Sequence, residues 1–443
     1  TGALPQPDSE LSFPVEIPKD TAHGDYTSTF PMAAAKKLRM PPRKIAELIV
    51  QRIVLSGSFF DSVEIAGAGF INFRLGQKWY CDILATAERE GRDFARTSAL
   101  AGQKIMVEFV SANPTGPMHM GNARGGVLGD CLSNVLALAG AEVSREFLIN
   151  DAGNQVEKFG ISLETRYLQL YPEYKNLEFP EDGYHGEDII VLAKSFREQH
   201  GDTYLNADAQ VRREALVKFG LGHNIPAMQR DLERYGIHYD TWFSETTLHE
   251  SGAVSRIVDF LTKKGYTYEK DGAVWLRTTD FGCEKDDVLR RANGFYTYFA
   301  VDIAYHYNKF IERGFDTVIN VWGADHHGHV ARLKAACSAF GVDPDRLEII
   351  LMQLVRLTQN GEVVRMSKRT GKTISLSNLL DDISVDAARF FFNMRAAETQ
   401  MEFDLDLAVR EDSENPVYYV QYAHARICSL IKMLEHDGVS VQP

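Results

Sequence analysis

The sequence predicts an α/β fold organised around a doubly wound, Rossmann-like parallel sheet, and three stretches carry that expectation. Residues 105–110 (IMVEFV) form an apolar, β-branched run of strand length. After a Pro/Gly-rich turn, Val127, Leu128, Cys131, Leu132, Val135, Leu136 and Leu138 recur at helical spacing, Gly140 closes the pattern, and residues 142–149 read as a second strand. The same order returns at residues 317–322 (TVINVW), followed by a helix over 330–340 and another apolar run at 347–351. Strand–turn–helix–strand is the opening unit of a parallel sheet that binds ligands beyond the carboxyl ends of its strands.

Residues 1–97 precede the sheet as a small α/β module. Ile45, Ile49 and Ile53 are spaced as on a helix after Pro41-Pro42, and alternating stretches at 62–66 and 70–75 flank Gly67-Ala68-Gly69 as a hairpin would. Lys36, Lys37, Arg39, Arg43 and Lys44 cluster there, either as a solvated face or as a nucleic-acid contact. The sheet domain spans 98–375. Its polar, helically patterned stretch 155–240 reads as an insertion, interrupted at Tyr171-Pro172 and Asp182-Gly183. Asn360-Gly361 joins strands 355–359 and 362–366, because this pair adopts the positive φ values of a tight hairpin turn. Residues 376–404 read as stem helices. From 405 to 443 a helical bundle begins, with Asn415 as cap, Pro416 in the first turn, and Val417, Val420, His424, Ile427, Ile431 and Leu434 along one face.

The 443 residues include 61 acidic and 48 basic side chains, a formal charge of −13, which argues against coating nucleic acid by charge alone. No apolar run approaches the length of a membrane helix, so no membrane partner is expected. The first residues lack the pattern of a signal peptide, and the missing initiator Met points to a trimmed chain. Five scattered cysteines without a CxxC pair indicate neither a disulfide framework nor a thiolate zinc site, so a reducing, cytoplasmic setting is expected.

Four groups could do chemistry. In Pro114–Asn122 (PTGPMHMGN), glycine lets a phosphate approach the backbone, the following helix offers free N–H groups, and His119 and Asn122 could donate to a phosphoryl group. Taken alone, such an HxG triplet is weak. Arg365–Lys372 (RMSKRTGK) places four cations in eight residues, either as a clamp on polyphosphate or as an ordinary basic loop. Residues 322–329 (WGADHHGH) supply either a nucleotide-contacting turn or, through Asp325, His326, His327 and His329, a metal cluster, although no HExxH accompanies them. Finally, Glu108, Glu245, Tyr298 and Asp302 could line a pocket for a planar cation, Tyr298 and Asp302 sharing a helix face; read singly, each is an ordinary surface or capping residue.

Together these residues resemble a class I aminoacyl-tRNA synthetase, specifically arginyl-tRNA synthetase of the bacterial type. VEFVSANPTGPMHMGNARGGVLGD resembles the region around that family's HIGH motif, VWGADHHGHVARLKAA its nucleotide turn, and VVRMSKRTG its KMSK loop. HGDYTSTFPMAAAKKL and NPVYYVQYAHARI extend the likeness to both ends. The resemblance implies ATP-dependent ligation of L-arginine to tRNA(Arg) through arginyl-adenylate, releasing AMP and pyrophosphate, with Mg²⁺ accompanying ATP. It implies catalytic roles for His119, Asn122 and Lys368. Thr115, His119, Gly121, Asn122, Gly323, Asp325, His326, Met366, Ser367 and Lys368 would hold ATP, and Glu108, Asn113, Glu245, Tyr298 and Asp302 would bind arginine. No resident metal is implied.

Asn122 departs from the last His of HIGH, and Arg365 from the first Lys of KMSK; Asn donates but carries no charge, whereas Arg keeps its charge in another shape. The resemblance also assigns the N-terminal module to the tRNA elbow, makes activation depend on bound tRNA, and suggests a monomer. It further implies that most of the anticodon-binding bundle lies beyond Pro443. Two other classes remain open on the residues alone: a metal-dependent hydrolase built on the Asp325–His329 cluster, and a non-catalytic tRNA-binding fragment.

Overall fold

A computed structural model describes residues 14–364 and 374–439, which fall into two compact units. One holds the described residues up to Ala95 together with 430–439, and the other is Arg96–Ser429.

In the first unit, strands Val15–Glu16, Tyr26–Ser28, Phe60–Ala66 and Phe70–Leu75 form an antiparallel sheet in the order first, second, fourth, third. Helices Phe30–Leu38 and Pro42–Val50 bury Ala34, Leu38 and Ile45 in a small core. The basic residues Lys36 and Lys37 lie in the last turn of the first of these helices.

In the second unit, β1 (Lys104–Glu108), β2 (Glu142–Ile149), β3 (Thr241–Ser244), β4 (Thr317–Gly323) and β5 (Leu347–Met352) form an all-parallel sheet ordered β5-β4-β1-β2-β3. Ile105, Met106 and Val107 are all buried, because helices cover both faces and no alternation is needed. The order reverses between β1 and β4, so the crevice for a ligand opens beyond Glu108 and Gly323.

Helix α1 (Met120–Leu138) packs tightly on the end of β1. A Cβ on Gly129 would lie 2.2 Å from the Phe109 ring, so only glycine permits this approach. The buried guanidinium of Arg124 donates to the carbonyls of Gln353, Ala396 and Thr399, tying α1 to later chain. The insertion comprises α2 (Asn154–Leu168), α3 (Glu187–His200) and α4 (Ala209–Arg234), around a separate core that includes Phe159, Leu163, Tyr167, Ile189, Phe196 and Leu216.

Some elements escape the sequence reading. β3 is a four-residue edge strand, too short and too evenly half-buried to give a periodic signal. Thr267–Lys270, Ala273–Leu276 and Asp287–Arg290 form a small antiparallel sheet ahead of helix α5 (Tyr298–Tyr307). Helix α6 (His327–Ala339) begins before the first apolar residue of its pattern, through His327, Gly328 and His329.

β6 (Val355–Gln359) and β7 (Glu362–Val363) are joined by Asn360 and Gly361, at φ 53° and 74°. The stem stretch holds α7 (Leu376–Asp382) and α8 (Val385–Asn393), but also β8 (Met401–Asp404), which pairs in parallel with β6. Its Leu376, Leu379, Phe391, Phe392 and Phe403 join the core of the parallel sheet. On the final helix, α9 (Pro416–His436), Val417 is buried and its N–H is capped by Asn415, whereas Val420, Ile427, Ile431 and Leu434 are exposed. Among the described residues no helix is long and apolar enough to cross a membrane.

Candidate active site

The loop leaving β1 opens with two non-glycine residues at positive φ, Val110 (69°) and Ser111 (41°), and leads to exposed Asn113 and buried Thr115. Asn224 of α4 steadies it by donating to the Pro114 carbonyl at 2.8 Å. His119 is the N-cap of α1, and Asn122 Oδ1 accepts the His119 N–H at 3.1 Å. Asn122 thus closes the helix end through its side-chain oxygen while its amide N–H₂ keeps two donors. Gly121 fits because a Cβ would come within 2.9 Å of the His119 ring.

Arg365, Met366, Ser367 and Lys368 lie outside the described residues. From Ile374 the chain is again described, and it runs directly beside the His119 loop. The Met120 N–H donates to the Ile374 carbonyl at 3.1 Å and the Leu376 N–H to the Met118 carbonyl at 2.9 Å, pairing His119 with Ser375 in a short antiparallel bridge. Chain emerging from the second basic segment is therefore fastened to the residues flanking His119.

Beyond β2 and β3 stands an acidic group. Glu245, which is buried, has its carboxyl pushed up to about 7, first by burial and then by the charges of Asp302 and Asp151. Asp151 is held by Ser244 Oγ (2.6 Å), Thr246 Oγ1 (3.0 Å) and the Thr246 N–H (2.9 Å), which fixes the turn that carries Glu245. The sequence reading passes over Asp151, although a carboxylate directly after a strand end was the available signal. Tyr298 and Asp302 lie one turn apart on α5, and the exposed Tyr298 hydroxyl accepts the Asn154 N–H at 3.1 Å.

Glu108 stands apart from this group. Its Oε2 lies 2.5 Å from Nζ of the wholly buried Lys309, and its Oε1 accepts the Ser111 hydroxyl at 2.9 Å. Its charge is matched within the protein by Lys309. Lys309 also donates to Asn320 Oδ1 and sits in a π-helical turn, Asn308–Glu312, that no periodicity announces.

In the turn after β4, Asp325 and His326 are exposed and 3.9 Å apart, whereas His329 Nε2 is committed to Asp302 Oδ2 at 2.7 Å. Among the described residues no three His, Cys, Asp or Glu side chains are grouped to hold a metal ion.

The chain has counterparts among known proteins. Residues 2–75 match the family profile for the arginyl-tRNA synthetase N-terminal domain, and residues 87–181 and 223–411 match the class I (R) tRNA synthetase catalytic domain. The arginine–tRNA ligase of Caldanaerobacter subterraneus is 58% identical over 97% of this chain and 76% of its own length. The chain belongs to the arginyl-tRNA synthetase family. For the arginine–tRNA ligase of Acetivibrio thermocellus the identity is 55%, over 99% of this chain and 78% of that protein. A solved structure from Campylobacter jejuni superposes with a TM-score of 0.74 at 36% identity, covering 82% of this chain and 78% of the other. Thermus thermophilus arginyl-tRNA synthetase, 21% identical, shares the fold with a TM-score of 0.66 over 95% of this chain and 78% of that one. The stretch between the two catalytic matches, 182–222, lies within the helical insertion that this synthetase carries between β2 and β3.

Proposed function

We propose that the crevice beyond β1 and β4 is where this synthetase activates arginine with ATP. The overall reaction is ATP-dependent attachment of arginine to tRNA, as in the family. In the first step the arginine carboxylate attacks the α-phosphorus of ATP, a P–O bond forms, and the bond to pyrophosphate breaks. In the second, a ribose hydroxyl at the 3′ end of tRNA(Arg) attacks the carbonyl of arginyl-adenylate and AMP leaves.

His119, Asn122 and the N-terminus of α1 face the triphosphate in this reading, as donors to oxygens on which charge develops. Lys368, with Met366 and Ser367, is assigned to the departing pyrophosphate, whose developing charge a lysine ammonium offsets. Thr115 and Gly121 shape the loop, and Gly323, Asp325 and His326 contact the nucleoside. Glu245 and Asp302 take the guanidinium, whose five donors suit two carboxylates, with Tyr298 at the pocket mouth and Asn113 at the α-amino end. Mg²⁺ would arrive on the nucleotide and offset phosphate charge. The N-terminal module serves tRNA, and cognate tRNA is required for activation.

The observation that supports this reading is the bridge between residues 118–120 and 374–376, which fastens chain that follows the second motif in sequence to the helix end bearing the first. A hydrolase built on the histidine turn is not favoured, because His329 is already paired and its neighbours are exposed. Arginine-dependent ATP–pyrophosphate exchange, measured with and without tRNA(Arg), is the test. Exchange that needs both arginine and tRNA is expected; tRNA binding with no exchange under any condition would make the chain a binding fragment.

A further inference from the structure

His329 and Arg332 lie one turn apart on α6 and have no part in the scheme above. His329 Nε2 is 2.7 Å from Asp302 Oδ2, Arg332 Nε is 2.6 Å from His329 Nδ1, and Arg332 Nη1 is 3.1 Å from Asp287 Oδ1. A guanidinium can only donate, so His329 Nδ1 accepts and the ring hydrogen sits on Nε2, directed at Asp302. The ring is largely enclosed, with Phe299 at 5.9 Å and Trp322 at 5.7 Å between centroids, and Arg332 lies over Phe299 at 5.0 Å. The Asp302 backbone is held too, its carbonyl accepting from His306 Nδ1 at 2.8 Å. Oδ1 of Asp302 takes no hydrogen bond among the described residues, and a third of its side chain is exposed.

We infer that His329 is a positioning residue for arginine recognition: it fixes the rotamer of Asp302 so that one carboxylate oxygen is held and the other is presented to the guanidinium, with Arg332 enforcing the imidazole tautomer this requires. The inference rests on the reading that Asp302 binds arginine. Its basis is the continuous chain Asp287–Arg332–His329–Asp302, in which each link has a single possible donor direction. A carboxylate free to rotate can satisfy an ammonium as well as a guanidinium, so the fixed geometry also serves discrimination against lysine. Because His329 lies at the start of α6, directly after the turn that carries Gly323, Asp325 and His326, the same short stretch would bear on both nucleotide and amino-acid subsites.

Arginine binding to the chain, followed calorimetrically for His329→Ala, His329→Gln, Arg332→Leu and Asp302→Asn beside wild type, tests this. Losing one charge-assisted hydrogen bond from a preorganised site is expected to weaken arginine about tenfold in His329→Ala. Gln, which keeps an N–H donor, should recover most of that loss; Arg332→Leu should fall between, and ATP affinity should not move. Should Asp302→Asn weaken arginine while His329→Ala and His329→Gln both match wild type, the positioning role is overturned and the reading of Asp302 survives. Unchanged binding in Asp302→Asn would instead overturn the reading, and this inference with it. Equal loss in Ala and Gln variants, accompanied by a matching loss of ATP affinity, would mean a general structural role and would also overturn it.

Discussion

Lys309, with no exposed surface, places its ammonium 2.5 Å from Glu108 and 4.0 Å from the centroid of the Tyr305 ring. Two opposite charges taken out of water together hold the carboxyl end of β1 to the π-helical turn after α5. Through Ser111, which bonds Glu108 and also accepts the Leu148 N–H, the pair fixes the positive-φ turn that launches the signature loop. Neutralising one partner strands the other. Lys309→Met is therefore expected to cost about 3–5 kcal/mol in denaturant unfolding. The double variant with Glu108→Gln should regain part of that loss. A Lys309→Met protein as stable as wild type would show that the pair contributes little.

Glu245 predicts a pH dependence. With its carboxyl near 7, the ligand-free fold is favoured most below the ordinary glutamate range and loses this contribution as pH rises through about 7. The groups facing it are the carboxylates of Asp302 and Asp151 and the His249 ring, 3.9 Å away. A guanidinium seated there favours the ionised form, so arginine binding should release a proton below about pH 7 and tighten as pH rises toward it. Calorimetry in buffers of different ionisation enthalpy measures that proton. Glu245→Gln should abolish both the release and the pH slope, and an unaltered slope would place Glu245 outside the pocket.

Asp302→Ala should raise KM for arginine steeply and leave KM for ATP near its wild-type value, because in the proposed site this carboxylate faces the amino acid and not the nucleotide. Pyrophosphate exchange over a matrix of both substrates separates the two constants.

Lys368→Ala should lower kcat for adenylate formation by about two to three orders of magnitude, the loss typical when one stabilising group is removed from a transition state. Single-turnover adenylate formation reads this step without product release, and near-normal rates would move the phosphate clamp elsewhere.

Asn122→Ala removes the acceptor of the His119 N–H and should cost about 1 kcal/mol of stability together with activity. Gly129→Ala, which thrusts a methyl into the Phe109 ring, should cost more, about 1–3 kcal/mol, although it touches no substrate. Thermal unfolding beside exchange kinetics distinguishes a residue that serves both ends from one that serves packing alone.

The local elements were legible where periodicity or turn chemistry is strong: β1, β2, β4 and β5, the helix after β1, and the Asn360-Gly361 turn. Short or irregular pieces such as β3, the small antiparallel sheet, β8 and the π-helical turn were not, because four residues of mixed polarity or one widened helical turn leave no repeat to detect.

The sequence by itself determined the strand–helix order of the parallel sheet, the glycine- and histidine-bearing turn at its switch point, and the motifs that mark the synthetase family. These are written in consecutive residues, where spacing and side-chain chemistry suffice. Only the tertiary structure decided which partner each acid meets. Glu108 and Asp302 look alike in a string of letters, yet one is paired with Lys309, 201 residues away, and the other hydrogen-bonds His329 of a different helix. A carboxylate's role depends on the charges and donors around it, and those neighbours arrive only when the chain folds.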